Sequence, residues 1–309
     1  MRVGAIFPGQ GSQAVGMGGA IVGRFPAARE LFATAERVLG YDLLAIIAGP
    51  EERLRETQFS QPAIFVTNYA LAIAAGASLP IVASAGHSFA EICSLTLAGA
   101  FDFPTGLELV RERGLAMQAA AEAAPGAMSA VLGLDADLLR EAVAHARVAG
   151  RVQLANFNSP AQIVISGDRD AVAKAGELAL AAGAKRVVPL PVSGAWHSEL
   201  MVPAQARFAP FVERAEIAMP RFTVISNVDA KPYADVATIK ANLIRSVTDE
   251  VLWHATAERL VAENLDLVVE FGGTAVLAPM FKRLAGAPPA LHVGDERGIE
   301  KLSETIAVA

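Results

Sequence analysis

Cysteine is almost missing from this chain: Cys93 is the only one among 309 residues. A lone thiol excludes an internal disulfide and any metal site built on several cysteines, and it suits a reducing compartment. It lies in an apolar segment, where a buried structural thiol is a simpler reading than a nucleophile. An excess of basic residues is missing as well. Lys and Arg total 26 against 32 Asp and Glu, a net charge of −6. No overall positive field therefore draws nucleic acid to the surface, and an acidic partner must be met by a local basic patch. Uncharged apolar runs fall well short of the ~20 residues that a membrane span needs. The opening MRVGAIFPGQ carries one basic residue and a short apolar strand before Pro8-Gly9. It shows neither the apolar region nor the small-residue cleavage site of a signal peptide, so a cytoplasmic protein without a membrane anchor is expected. What is present is apolar: 53% hydrophobic against 19% charged residues, the balance of a chain with a substantial core. The length fits one large α/β domain, or such a domain with a smaller insertion.

Hydrophobic patterning divides the chain. A first strand, Val3 to Phe7, is broken by Pro8-Gly9-Gln10-Gly11. Helical patterns cover Ala27–Leu39 and Gln61–Ala75, followed by a buried strand at Leu79–Ala85 and an apolar helix at Glu91–Ala98. A further helix runs from Pro104 to Ala123, with Pro at its start and Pro125-Gly126 past its end. After Gly126 the pattern changes to strand Met128–Leu134, helix Asp135–Ala149, strands Val152–Phe157 and Gln162–Ser166, helix Asp168–Ala182 and strand Lys185–Pro189. That β-α-β-β-α-β order is the split arrangement of a ferredoxin-like unit. The α/β pattern then resumes with strand Phe222–Ser226, helices Val236–Arg245 and Trp253–Glu263, strand Leu267–Phe271 and helix Ala275–Leu284. The reading is a parallel-sheet domain built from residues 1–125 and 195–309, interrupted by a small subdomain at 126–194.

Gly86-His87-Ser88-Phe89-Ala90 lies at a strand-to-helix junction. On so sharp a turn a serine hydroxyl is exposed and the next backbone N–H can stabilise an oxyanion. An ordinary glycine-containing turn would have the same local pattern, and the fifth position is Ala90 where Gly is usual. Serine needs a base. Among the five histidines, His87 adjoins Ser88 and points elsewhere, so it reads as structural. His145 lies mid-helix and His292 in the loop-like segment PALHVGDE, both read as incidental. His197 follows the turn Pro191-Val192-Ser193-Gly194, at the seam where the small unit returns to the large one, and seams form clefts. It is preferred over His254, which follows Trp253 at a helix start. The glycine-rich opening lacks both Gly-Lys-Ser/Thr and G-x-G-x-x-G spacing, so it is no phosphate loop. It can instead supply a second N–H to an oxyanion. On the helix 104–123, at ~100° per residue, Arg113 falls inside the apolar sector of Leu109, Val110, Met117 and Ala120. A guanidinium on that face needs an anion, either a buried Asp or Glu or a carboxylate-bearing substrate held bidentately.

These residues together resemble a known family. Phe7–Gln13 (FPGQGSQ), Gln61-Pro62-Ala63, Gly86–Glu91 (GHSFAE), Arg113–Gln118 (RGLAMQ), Asn156–Gly167 (NFNSPAQIVISG) and Gly194–Met201 (GAWHSELM) occur in that order. The chain is similar, over essentially its whole length, to malonyl-CoA:acyl-carrier-protein transacylases, including the free-standing acyltransferases of trans-acyltransferase polyketide synthases. The resemblance implies a hydrolase-like α/β domain with an inserted ferredoxin-like subdomain. It also implies a ping-pong transferase, in which Ser88 takes malonyl from coenzyme A and passes it to the phosphopantetheine thiol of an acyl carrier protein, in fatty acid or polyketide biosynthesis. By position, Ser88 matches the nucleophile, His197 its base, the N–H groups of Gln10 and Phe89 the oxyanion hole, and Arg113 the arginine that grips the malonyl carboxylate. Gln61 and Trp196 fall among the substrate-binding positions. Trp196 stands where Phe is common and should crowd the acyl α-carbon, favouring malonyl over branched units. The histidine is oriented by a main-chain carbonyl in this family; the matching segment is Val251-Leu252-Trp253, with Leu252 where many members carry Gln. Gly272-Gly273-Thr274 replaces the usual Gly-Pro-Gly. No metal or resident cofactor is implied, coenzyme A and the carrier being substrates, and a monomer is expected.

Two other readings share part of this chemistry. A hydrolase acting on acyl carrier proteins uses the same serine, yet a buried Arg113 serves no neutral acyl chain. A catalytically silent carrier-binding subunit has no reason to keep Ser88, His197 and both oxyanion loops. Carrier proteins are acidic, and two basic pairs, Lys185-Arg186 and Lys282-Arg283, are candidates for docking one. They read equally as solvated surface pairs.

Overall fold

The computed structural model describes residues 1–76, 79–192 and 194–307. Ser193, in the turn before His197, lies outside them. In chain order the strands are β1 (Val3–Phe7), β2 (Ile81–Gly86), β3 (Ala127–Leu132), β4 (Val152–Ser159), β5 (Gln162–Gly167), β6 (Arg186–Pro189), β7 (Thr223–Ile225), β8 (Leu267–Phe271) and β9 (Ala290–Val293). They form two sheets. One is parallel with order β7-β2-β1-β8-β9, the other antiparallel with order β4-β5-β3-β6.

Continuous apolar runs suit the parallel sheet because helices cover both of its faces. Every residue of β1 and of β8 is buried. Around them the helices Pro26–Leu39, Thr57–Ala74, Glu91–Leu97, Phe103–Ala123 and Val202–Arg214 build one core, containing Phe7, Phe65, Phe89, Phe208 and Phe271. The antiparallel sheet keeps a separate core with the helices Ala136–Ala146 and Arg169–Ala181, centred on Leu139, Val143, Ile165 and Val172. Its strand order and two helices on one sheet have the split β-α-β-β-α-β topology.

The two units are spliced through backbone. Val251 donates to the Ala155 carbonyl and accepts from Phe157, each bond at 2.8 Å. Close packing at the seam also depends on glycine: a Cβ on Gly126 would stand 2.5 Å from the Ala195 methyl.

Several local expectations shift. The helix expected from Gln61 begins at Thr57 and tolerates Pro62 inside it, since Phe59 and Ser60 already donate to the Glu56 carbonyl. The helix expected over Ala275–Leu284 is regular only over Ala278–Phe281. There the buried Glu270 carboxylate accepts from the N–H groups of Val276, Leu277 and Ala278, so the chain turns before it winds. The segment around His292 is strand β9 rather than loop, because it pairs with β8 at the sheet edge. The helices Val202–Arg214 and Glu296–Ala307 add to the elements legible in the patterning.

Candidate active site

Ser88 is the second residue past β2, at the C-terminal edge of the parallel sheet, with φ +56°. A left-handed serine at such a turn is strained, and the neighbouring backbone leaves no room to relax it. A Cβ on Gly86 would lie 2.0 Å from the Ala90 carbonyl oxygen, so only glycine allows the crossing. Ala90 itself is fully buried. The methyl that departs from the usual glycine is therefore absorbed in the core rather than in the cleft.

His197 also has left-handed backbone, φ +58°, and is buried. Its Nε2 is 2.8 Å from Ser88 Oγ. Its Nδ1 is 3.1 Å from the Asp249 carbonyl oxygen, which fixes the tautomer: Nδ1–H donates to the carbonyl and Nε2 accepts from the serine. Burial, with Arg113 and His87 nearby, pushes the imidazole down to about 3. The ring is neutral at physiological pH, as a base must be. The orienting carbonyl thus corrects the sequence expectation. Leu252 is engaged elsewhere, its N–H donating to Asn227 and its carbonyl accepting from Thr256 within the next helix. The turn that ends the helix Val236–Arg245 brings Asp249 to the ring instead.

Arg113 projects from the helix Phe103–Ala123 and is 1% exposed. Its Nη1 donates to Gln61 Oε1 at 3.1 Å, and its Nη2 reaches toward Ser88 Oγ at 3.5 Å. Its Nε has no partner among the described residues. No carboxylate among the described residues lies within ion-pairing distance. Of the two partners left open by the helical pattern, the buried Asp or Glu is therefore not there. Burial pushes the guanidinium down to about 9, against the pull of Glu91, so it stays charged at neutral pH.

The glycine-rich loop after β1 closes the other side. A Cβ on Gly9 would be 2.6 Å from the His87 carbonyl oxygen, so this loop lies directly on the elbow. Asn68 and Thr274 hold it by donating to the carbonyls of Pro8 and Ser12, each at 3.0 Å. Thr274 belongs to the Gly272-Gly273-Thr274 segment, whose Gly272 carbonyl is in turn bonded by His292 at 2.8 Å. His292 is thus a brace, not incidental. The N–H groups of Gln10 and Phe89 donate to no described acceptor, whereas the Ser88 N–H is taken by Asn227 Oδ1 at 3.0 Å. Two backbone donors, one on the residue after Ser88 and one on the loop against the elbow, thus have no partner among the described residues.

These groups surround a cavity of about 590 Å³ between the two units, lined by Gln10, Gln61, His87, Ser88, Arg113, Met117, Trp196 and His197, with Met128 and Asn156 from the small sheet. Gln61 links the cation to the loop, its Nε2 standing 3.4 Å from Gln10 Oε1. Trp196 is buried in the cavity wall with its ring over Gly194. The sequence-derived basic residues are elsewhere. Lys185 and Arg186 are exposed at the start of the edge strand β6, Lys282 and Arg283 just past a one-turn helix, and none lines this cavity. Arg283 instead borders a smaller hollow with Trp253 and His254. His254 pairs with Glu258 at 3.4 Å, away from Ser88.

Three functional neighbours were not read from sequence. Glu91 is a fully buried carboxyl behind the elbow, raised by desolvation, that receives Tyr233 OH and both the backbone and side-chain N–H of Asn227. Asn227 Nδ2 also donates to the Gly86 carbonyl at 2.6 Å. Glu91 was visible inside the GHSFAE segment; Asn227 and Tyr233 come from the far side of β7 and carry no local signal. His87 is the structural residue expected, bonded to Asn158 at 3.0 Å and tilted against Trp253.

With this geometry established, the comparisons with known proteins decide the family. The acyl transferase domain family matches residues 5–284. The chain belongs to the acyl transferase family. It is 38% identical to the malonyl CoA-acyl carrier protein transacylase of Bacillus subtilis over 308 residues, 99% of this chain and 97% of that one. It is 40% identical over 284 residues to the polyketide biosynthesis protein ThaF of Burkholderia thailandensis, covering 90% of this chain and 24% of that one. Among solved structures, an acyl carrier protein S-malonyltransferase from Vibrio cholerae matches with TM-score 0.92 and 38% identity over 97% of this chain and 99% of that one. A type II polyketide acyl-carrier protein in complex with its malonyl-transacylase matches with TM-score 0.93 and 36% identity, over 99% of this chain and 100% of that one. The acyl transferase fold, a parallel sheet with a separate antiparallel sheet, is the one described above. Among the described residues no cluster of metal-ligating side chains occurs, and no helix is long and apolar enough to cross a membrane.

Proposed function

We propose that this protein transfers a malonyl group from coenzyme A to the phosphopantetheine thiol of an acyl carrier protein through a Ser88 acyl-enzyme. The observation that carries the reading is Arg113: a buried cation beside the nucleophile with, among the described residues, only a neutral amide and a hydroxyl for company. A malonyl carboxylate supplies the planar anion it lacks, and the bidentate pairing places the thioester carbonyl within reach of Ser88.

His197 takes the Ser88 proton as Oγ attacks the thioester carbon, and the Gln10 and Phe89 N–H groups receive the oxyanion. Each such donor contributes about 3–4 kcal/mol in the transition state. The tetrahedral adduct collapses, the C–S bond breaks, and the imidazolium returns its proton to the departing coenzyme A thiolate. In the second half the phosphopantetheine thiol gives its proton to His197 and attacks the ester, and Ser88 leaves with that proton restored. The Asp249 carbonyl stabilises the imidazolium in both halves, so this is a Ser-His dyad with a main-chain third member. The 126–194 unit serves as one wall of the cleft, Trp196 limits bulk at the acyl α-carbon, and Lys185, Arg186, Lys282 and Arg283 meet the acidic carrier outside it. The same proposal places the enzyme in the cytoplasm as a monomer, with no resident cofactor.

Intact-protein mass spectrometry after incubation with malonyl-CoA tests this directly. A single malonyl adduct is expected on the wild-type chain and none on Ser88→Ala; an equal adduct on that variant overturns the assignment.

A further inference from the structure

We propose that Gln153, on strand β4 of the small subdomain, is a positioning residue that sets the alignment of His197 for acyl transfer. This inference rests on the reading of His197 as the base.

The imidazole Nδ1 is held at 3.1 Å by the Asp249 carbonyl, with the Ser246 backbone of the same turn also acting on the ring. The quality of that bond depends on the spacing between two separate backbone segments: the strap carrying His197 and the turn 246–249 carrying the carbonyl. Neither is part of a sheet, and His197 has left-handed backbone. Gln153 joins the two. Its Nε2 donates to the His197 carbonyl at 3.2 Å and to the Thr248 carbonyl at 3.3 Å. Its Oε1 accepts from the Glu199 N–H at 3.1 Å. A single amide thus bonds the residue bearing the ring, the residue two beyond it, and the residue next to the orienting carbonyl. The amide orientation follows from its partners, since the reversed group would set its oxygen against two carbonyl oxygens.

The strand that carries Gln153 is itself fastened to the same region by the two backbone bonds between Ala155, Phe157 and Val251. Gln205 steadies the turn from the opposite side, donating to the Ile244 carbonyl and to Thr248 Oγ1. Gln153 does not line the substrate cavity. Its effect is therefore confined to the proton-transfer geometry, and it makes that geometry depend on the seating of the inserted subdomain. The counterpart on the other reacting residue is Asn227, which binds Ser88 N–H and the Gly86 carbonyl. Each left-handed catalytic position is thus restrained by an amide side chain from a distant element.

Two substitutions separate this role from packing. Gln153→Met keeps side-chain length and removes all three bonds. Gln153→Glu keeps the acceptor for Glu199 and replaces the two donations by repulsion. In steady-state malonyl transfer both variants should lose about 10- to 100-fold in kcat, the scale of a misplacement near 1 Å, with KM for malonyl-CoA unchanged and melting temperature close to wild type. Gln153→Glu should be the slower of the two. An unaltered kcat in folded Gln153→Met protein overturns the proposal, as does a fall in rate that disappears once activity is normalised to the folded fraction. His197→Ala measured alongside tells the two failures apart. Full activity there removes the base itself, whereas a dead His197→Ala with normal Gln153 variants removes only the positioning role.

Discussion

The cleft floor and the outer rim of the small subdomain treat charge in opposite ways. At the rim, Arg151 is half exposed and forks onto Asp168, with Nε and Nη2 at 3.1 and 3.0 Å from the two carboxylate oxygens. In the cleft, Arg113 is buried and, among the described residues, bonds only to Gln61 and Ser88. Water could have solvated Arg151 without help, yet it is paired; Arg113 is buried and has no ion-pairing carboxylate among the described residues. Folding energetics alone favour the reverse, because an unpaired buried charge costs several kcal/mol whereas an exposed pair contributes about 0–1 kcal/mol. On the proposed function the difference has a reason: a missing partner is tolerated where a substrate carboxylate would provide one.

The comparison breaks most sharply at the base. His197→Ala removes the neutral imidazole that burial maintains in the cleft, and Ser88 malonylation should slow by roughly 10²- to 10⁴-fold. Stopped-flow or quenched acylation assays read this, and a larger loss in His254→Ala would assign the base wrongly. The pH profile should agree. Because His197 lies at about 3 in the folded protein against an ordinary value near 6.5, the unfolded chain binds its proton more readily. Its contribution to stability is therefore complete above about pH 6.5 and is lost as pH falls toward the folded value. Activity should hold its plateau as pH drops through 6.5; a limb centred there would mean the imidazole is not held neutral.

Next comes Arg113→Ala. Losing the malonyl partner costs about 2–5 kcal/mol for a desolvated pair, so malonyl transfer should fall at least about 30-fold. Acetyl transfer should be kept or improved. Equal losses for both acyl groups would make Arg113 a structural residue and move the carrier-directed hydrolase reading forward. Charge reversal of Lys185-Arg186 together with Lys282-Arg283 should act more weakly, raising KM for the carrier several-fold in a salt-sensitive way while the coenzyme A half-reaction is nearly unchanged. An unaltered carrier KM removes these four residues from the interface. The smallest effect belongs to the rim: Arg151→Ala should lower stability by less than about 1 kcal/mol in denaturant unfolding and leave malonyl transfer intact.

The sequence by itself determined much of the fold and of the site. Apolar runs marked β1, β2 and β8, the change of pattern after Gly126 marked the inserted unit, and local patterns singled out Ser88, His197, Arg113 and the Gln10 loop, while Gln61 came only from the family resemblance. These were legible because their causes are local: strand periodicity, a glycine that must cross backbone, a charge on an apolar helix face. Tertiary structure alone decided the rest. The carbonyl that orients His197 belongs to Asp249 and not to Leu252, because the splice at Val251 and the following helix commit the Leu252 amide and carbonyl elsewhere. Whether Arg113 had a carboxylate partner could not follow from its helix, since the chain holds 32 acidic residues and the helix does not choose among them. Asn227 reaches Ser88 from 139 positions away and Gln153 reaches His197 from 44, with Tyr233 behind Asn227 on Glu91, at distances fixed only when both sheets have packed. A carbonyl is the same in every residue, so which one faces a ring is a property of the fold and leaves no mark in the sequence.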